Sequence, residues 1–95
     1  MSLSLSFFRG EIIRHLNEIG VKEVVTRSEK GGITFIFFFN DFQIFNELDK
    51  RVPAGYFISF YQLKEVGFSC ELTYYYNNHF ERQIQSMYLN SLQLS

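Results

Sequence analysis

Ninety-five residues, 46% of them hydrophobic and 20% charged, suit one globular domain spanning residues 1–95 and exclude a disordered chain. The net charge is −1, from nine basic and ten acidic residues, and no run of like charge exceeds two. That balance leaves no concentrated basic footprint for a nucleic-acid backbone or an anionic membrane surface.

The opening MSLSLSFFRG has no basic n-region and no long apolar h-region, so it is not read as a signal peptide. Phe8, Ile12, Leu16 and Ile19 recur at helical spacing, with Ser6 as the expected N-cap and Gly20 as the C-terminal stop. The period-two alternation of SLSLSF leaves a short strand as the alternative for residues 2–7. A hairpin follows: Val21 to Arg27, turn residues SEKGG, then Ile33 to Phe39. This second strand is the longest apolar run and is far too short to cross a bilayer, so no membrane insertion is expected.

Asn40 or Asp41 is then expected to cap a helix running to about Arg51, with Phe42, Phe45, Leu48 and Val52 toward the core and Pro53 and Gly55 ending it. A second hairpin is predicted from YFISFYQLK, a tight turn around Glu65–Gly67, and FSCELTYYY. In its second strand Phe68, Cys70, Leu72, Tyr74 and Tyr76 face one way, and Ser69, Glu71, Thr73 and Tyr75 the other. Asn78 with Glu81 suggests a capping box for a last helix carrying Phe80, Ile84, Met87 or Tyr88, and Leu92.

The sum is an α+β two-layer sandwich of order α-β-β-α-β-β-α, a four-stranded, mainly antiparallel sheet with helices on one face. Residues 40–54 are long enough for a crossover, which leaves the two central strands free to run parallel. Strand order stays open.

Chemistry-bearing residues are sparse. His15, Cys70 and His79 are isolated on three different elements, whereas a zinc site needs clustered ligand pairs. Cys70 is the only cysteine, so no internal disulfide forms and a reducing, cytoplasmic setting fits. It sits on an apolar strand face, which favours an inert thiol over a nucleophile paired with His79. His79 and Glu81 lie two apart, on different sides of a helix, and make a poor acid–base dyad. Asp41 is explained by capping, Glu47 by an i,i+4 pair with Arg51, and Gly31–Gly32 lack the Lys-Ser or Lys-Thr of a P-loop. No catalytic residue, metal site, cofactor or small-molecule substrate is assigned, and the chain is expected not to be an enzyme. Strand aromatics such as those of GFSCELTYYY can stack bases, but Val66 stands where a basic residue should precede Gly67. Single-stranded nucleic acid is therefore an alternative partner, disfavoured by the charge balance.

In the last helix, ERQIQSMY resembles the Glu-Arg-Glu-(Val/Ile)-x-Asp-(Met/Leu)-(Phe/Tyr)-Gly signature of the peripheral-arm C subunit of NADH:quinone oxidoreductase, a family shared with formate-hydrogenlyase-type hydrogenases. Glu81, Arg82, Ile84, Met87 and Tyr88 match, while Gln83, Ser86 and Leu89 depart from it. The helix leading into GYFISFYQL and CELTYYY is similar to that family's order of a helix and two strands, so the resemblance covers the last half of the chain. It implies a cofactor-free docking subunit of a redox assembly, with Glu81 and Arg82 at the subunit contact.

The Phe-rich strand carries the main functional expectation. If helices cover Phe35, Phe37 and Phe39, then Thr34, Ile36 and Phe38 form an apolar patch on the other sheet face, bordered by Tyr75. Leaving large apolar groups open forgoes about 1.5–3 kcal/mol for each fully buried equivalent, which marks an association surface. The leading expectation is a small protein–protein interaction module, a homodimer or a subunit of a larger complex, using Ile36, Phe38, Tyr61 and Tyr75. The alternative is that the N-terminal segment or last helix covers that face within the monomer.

Overall fold

A computed structural model describes residues 2–63 and 67–94. The elements follow the expected order: α1 (Ser2–Glu18), β1 (Val24–Glu29), β2 (Gly32–Phe39), α2 (Gln43–Arg51), β3 (Phe57–Gln62), β4 (Phe68–Tyr75) and α3 (Asn78–Leu94). The fold is α+β. The sheet order is β1-β2-β4-β3 and every pairing is antiparallel.

The central strands β2 and β4 thus do not run parallel, as the length of residues 40–54 allowed. The crossover does exist, but it spans one strand more. β2 and β3 point the same way with β4 inserted between them, a split β-α-β arrangement with α2 in the connection.

Helix α1 starts at Ser2, so Ser6 is not its cap and SLSLSF is not a strand. Leu5 lies three residues before Phe8 and packs against the same core, which extends the Phe8–Ile12–Leu16 stripe by a turn. Its C-terminus is a Schellman motif: Gly20 at φ 108° donates its N–H to the Asn17 carbonyl, and Val21 donates to Leu16. Leu16 and Val21, the hydrophobic pair of that motif, are both buried.

The β1–β2 turn is Lys30–Gly31, with Gly31 at φ 77°; Ser28 and Glu29 belong to β1. Asp41 does not cap α2 through the end of the helix. Its carboxylate accepts the Gln43 N–H as a local turn at 2.9 Å, and the N-cap position is Phe42. For α3 the cap is Asn77, one residue earlier than expected, whose side-chain oxygen accepts the Phe80 N–H at 2.8 Å. The expected Glu47–Arg51 pair is present at 3.9 Å, and Arg51 also reaches Glu18 of α1 at 3.3 Å. The turn expected around Glu65–Gly67 lies, at residues 64–66, outside the described residues; Leu63 donates to the Gly67 carbonyl across it.

The core occupies one face of the sheet. Phe35 and Phe37 are fully buried, with Ile33 and Phe39 nearly so, opposite Leu72, Cys70, Tyr74 and Phe68 respectively. Phe8 of α1 sits edge-on to Tyr74 at 4.9 Å and to Phe80 of α3 at 5.0 Å, and Phe7 meets Tyr88 at 5.4 Å. Leu48 and Val52 complete the cluster from the α2 side, and the Tyr74 hydroxyl donates to the Pro53 carbonyl at 2.6 Å. Burying each such Phe fully contributes about 1.5–3 kcal/mol.

Gly32 faces β4 so closely that a Cβ there would lie 2.5 Å from the Tyr74 carbonyl oxygen. That contact is with backbone in the central ladder and has no side chain to swing aside. Gly32→Ala is expected to destabilise the fold by about 1–3 kcal/mol, read as a lower denaturant midpoint at unchanged m-value; an unchanged midpoint would contradict the close approach.

Candidate interaction surface

Strand alternation sends Val25 and Arg27 of β1, Thr34, Ile36 and Phe38 of β2, Ser69, Glu71, Thr73 and Tyr75 of β4, and Phe57, Ser59 and Tyr61 of β3 to the face away from the core. The helices pack on the other face, so neither α1 nor α3 covers this one. Phe38 is 61% exposed, Phe57 66%, Tyr61 53% and Tyr75 46%, while Ile36 is half-buried. The four residues expected to share a face therefore do so. Thr34, expected in the patch, is buried and shares a 2.8 Å hydroxyl–hydroxyl hydrogen bond with Thr73.

The middle of this face is polar. Glu71 accepts from Arg27 at 3.1 Å and from the Tyr61 hydroxyl at 2.7 Å, bridging β1 to β3 across the two central strands. The bond to Glu71 raises the Tyr61 phenol above its ordinary value. Apolar side chains surround this bridge: Val25, Ile36 and Phe38 on the β1–β2 side, and Phe57 edge-on to Tyr75 at 5.4 Å on the β3–β4 side.

Glu81 and Arg82 stand elsewhere. Both are exposed on the first turn of α3, in the helix layer, beside a small recess of about 330 Å3 shared with Asn78 and Gln85. Arg82 donates to the Asn78 carbonyl at 3.3 Å. The structure does not bring them together with the sheet-face residues.

Sequence reasoning missed the exposure of β3. All six of its residues are exposed, on both faces: Ile58 and Phe60 emerge on the helix side, where the helices cover them only in part. Phe42, expected in the core, is 53% exposed and joins a ring cluster at that margin, 4.8 Å from Phe45 and 5.3 Å from Phe68. Phe60 lies 4.6 Å from Phe45 and completes it. The available signal was the near-absence of polar positions in YFISFYQL, which no single-sided burial explains.

The ladder phase shows what the β3 edge presents. Leu63 donates inward to Gly67, and antiparallel ladders alternate, so Phe57, Ser59 and Tyr61 bond to β4. The N–H and C=O groups of Ile58, Phe60 and Gln62 then point away from the sheet. The β2–β4 ladder has the complementary phase, as the Tyr76 N–H to Gly31 carbonyl bond at 2.7 Å shows.

Among the described residues, no three His, Cys, Asp or Glu side chains are grouped to hold a metal ion, and no helix is long and apolar enough to cross a membrane. A groove of about 540 Å3 opens where α1 and β2 end, between Lys22, Glu23, Asn40 and Asp41, all exposed, with Phe38 on its wall. His15 and His79 lie on α1 and α3, apart from Cys70 in the sheet centre. Burial pushes the Cys70 thiol up to about 12 and the Tyr56 phenol also to about 12, the latter helped by its bond to Asp49. Comparison with known proteins finds no matching family model, no curated relative and no similar solved structure.

Both raised groups disfavour their anions in the folded state, so their contribution is intact below the free values of 9.0 and 10.0 and is lost as pH rises toward about 12. The melting temperature is expected to fall between pH 9 and pH 12. At pH 8, Cys70 is expected to react with a thiol reagent only as fast as the protein unfolds; labelling at the free-thiol rate would contradict its burial.

Proposed function

We propose that this chain is a non-enzymatic protein–protein interaction module, working as a homodimer or as a subunit of a larger complex. The observation that carries the reading is the band of half-exposed aromatic side chains, Phe57, Tyr61 and Tyr75 with Phe38 beyond, running across the open sheet face to the exposed strand β3. So many wet rings on one face mark an association surface, and covering them recovers about 25 cal/mol per Å2 of apolar area before the costs of association are met. Glu71, held between Arg27 and Tyr61, would give such a contact a polar fixed point for orientation.

The resemblance of residues 81–88 to the C-subunit signature supports a second contact of the same kind, a docking site on a redox assembly at Glu81 and Arg82. Their exposure on the first turn of α3 favours it. Single-strand stacking on the same sheet aromatics is less favoured, because Glu71 occupies the centre of that face and engages Arg27.

Sedimentation velocity across concentration, with and without an extract of the native host, tests the reading. The wild type is expected to sediment in an associated form that Phe57→Lys abolishes and Glu81→Ala with Arg82→Ala leaves intact. The reverse pattern would move the contact to α3. A protein that stays monomeric and enters no larger species under either condition would end the proposal.

A further inference from the structure

We infer that the occupant of the β3 edge is a second copy of this chain, joined by antiparallel β3–β3 pairing about a two-fold axis at Ser59. This rests on the reading of the sheet as an association surface and adds its partner and register.

The two sheet edges differ in kind. β1 carries Arg27 and is preceded by Lys22 and Glu23, charges of the sort that keep an edge from pairing with another chain. β3 has no charged residue and no proline, and is exposed throughout. Its outward N–H and C=O groups, at Ile58, Phe60 and Gln62, form a free row of donors and acceptors. An exposed apolar strand of this kind is a template for strand addition.

The ladder phase restricts how two copies fit. In an antiparallel pair, residues that present outward groups must face residues that do the same. Only registers centred on a residue, such as Ser59 or Phe60, meet this condition; a centre between the two does not. Centring on Phe60 sets Ile58 against Gln62 and Tyr61 against Ser59. With Ser59 at the centre, Phe57 lies opposite the partner copy's Tyr61 and Ile58 opposite its Phe60, each pair occurring twice. Every large apolar side chain of the strand then has an apolar neighbour, the arrangement that stabilises cross-strand pairs. The smallest side chain falls on the axis.

The size is adequate. The half-exposed side chains on and beside β3, with Phe42 and Tyr75 at the margins, offer roughly 500–700 Å2 per copy, so a pairing that covers most of them reaches the about 1,000 Å2 in total that a specific interface needs. Two-fold pairing consumes the edge, so assembly closes at two copies with the charged β1 edges outermost.

Ser59→Cys provides the test. Under mild oxidant it is expected to give a disulfide-linked dimer, because residues facing each other across a two-fold at a non-hydrogen-bonded position bring their Cβ atoms within bonding reach. Gln62→Cys, far from its own copy in this register, is expected to stay monomeric on a non-reducing gel, and buried Cys70 supplies an internal negative control. Ile58→Pro removes an outward N–H and none of the β3–β4 ladder, so it is expected to weaken dimerisation by at least about tenfold while keeping the wild-type circular dichroism. A dimer that survives Ile58→Pro and does not cross-link at Ser59→Cys would overturn the edge inference but leave the association reading standing. Cross-linking at Phe60→Cys in place of Ser59→Cys would overturn the register. A strict monomer that still enters a host complex would overturn the second copy as partner.

Discussion

Where β2 lies against β4, four apolar pairs meet in register on the core face: Ile33 with Tyr74, Phe35 with Leu72, Phe37 with Cys70, and Phe39 with the partly buried Phe68. Everything else is arranged around that pair. Phe8 reaches it from α1, Phe80 from α3, and the Tyr74 hydroxyl ties it to the connection after α2. The backbone at Gly32 approaches β4 closely enough that one methyl group would disturb the ladder. A centre so dense on one side leaves the other side dependent on what the strand sequences happen to carry. There they carry a carboxylate bridge ringed by aromatic side chains.

This division explains why the association reading and the fold belong together. The three helices cover the centre of the sheet on one face, and at β3 only Phe45 of α2 reaches Phe60, leaving the strand exposed. The sheet therefore has a dry centre, a mixed polar and apolar outer face, and one margin that is apolar on both sides. Phe42, Phe45, Phe60 and Phe68 gather at that margin as partly wet rings whose burial is left incomplete. Incomplete burial at a margin that also holds unpaired backbone groups is a more specific pointer to strand addition than exposed aromatics on a flat face would be.

Much of the architecture was legible in the chain. The element order, the facing of Ile33 to Phe39 and the alternation of β4 all follow from period-two patterning interrupted by glycine turns. Boundaries slipped where two local signals competed. SLSLSF alternates like a strand, yet Leu5 extends the helical stripe of Phe8, Ile12 and Leu16, and the helix prevails. Asn77 and Asn78 are equally good caps on paper, and the chain uses the one whose oxygen reaches the Phe80 N–H. The open face was legible in Ile36, Phe38, Tyr61 and Tyr75. The exposure of β3 was not, because an apolar strand at an edge and an apolar strand in a buried centre look alike until strand order is known.

The strand order also dictates a sequence of events in time. The β1–β2 hairpin is local and can close within a short stretch of chain. β3 emerges before the one strand it pairs with, and β2 waits for a neighbour that lies beyond both α2 and β3. Until residues 68–75 are in place, β2 is paired on its β1 edge only and β3 has no sheet partner. The native order requires β4 to enter between β2 and β3. Such long-range closure slows folding relative to local pairing and exposes the most aromatic segments of the chain while it lasts. The pairing of the fourth strand with the second is thus the sheet contact at the heart of the fold that must span the longest stretch of chain.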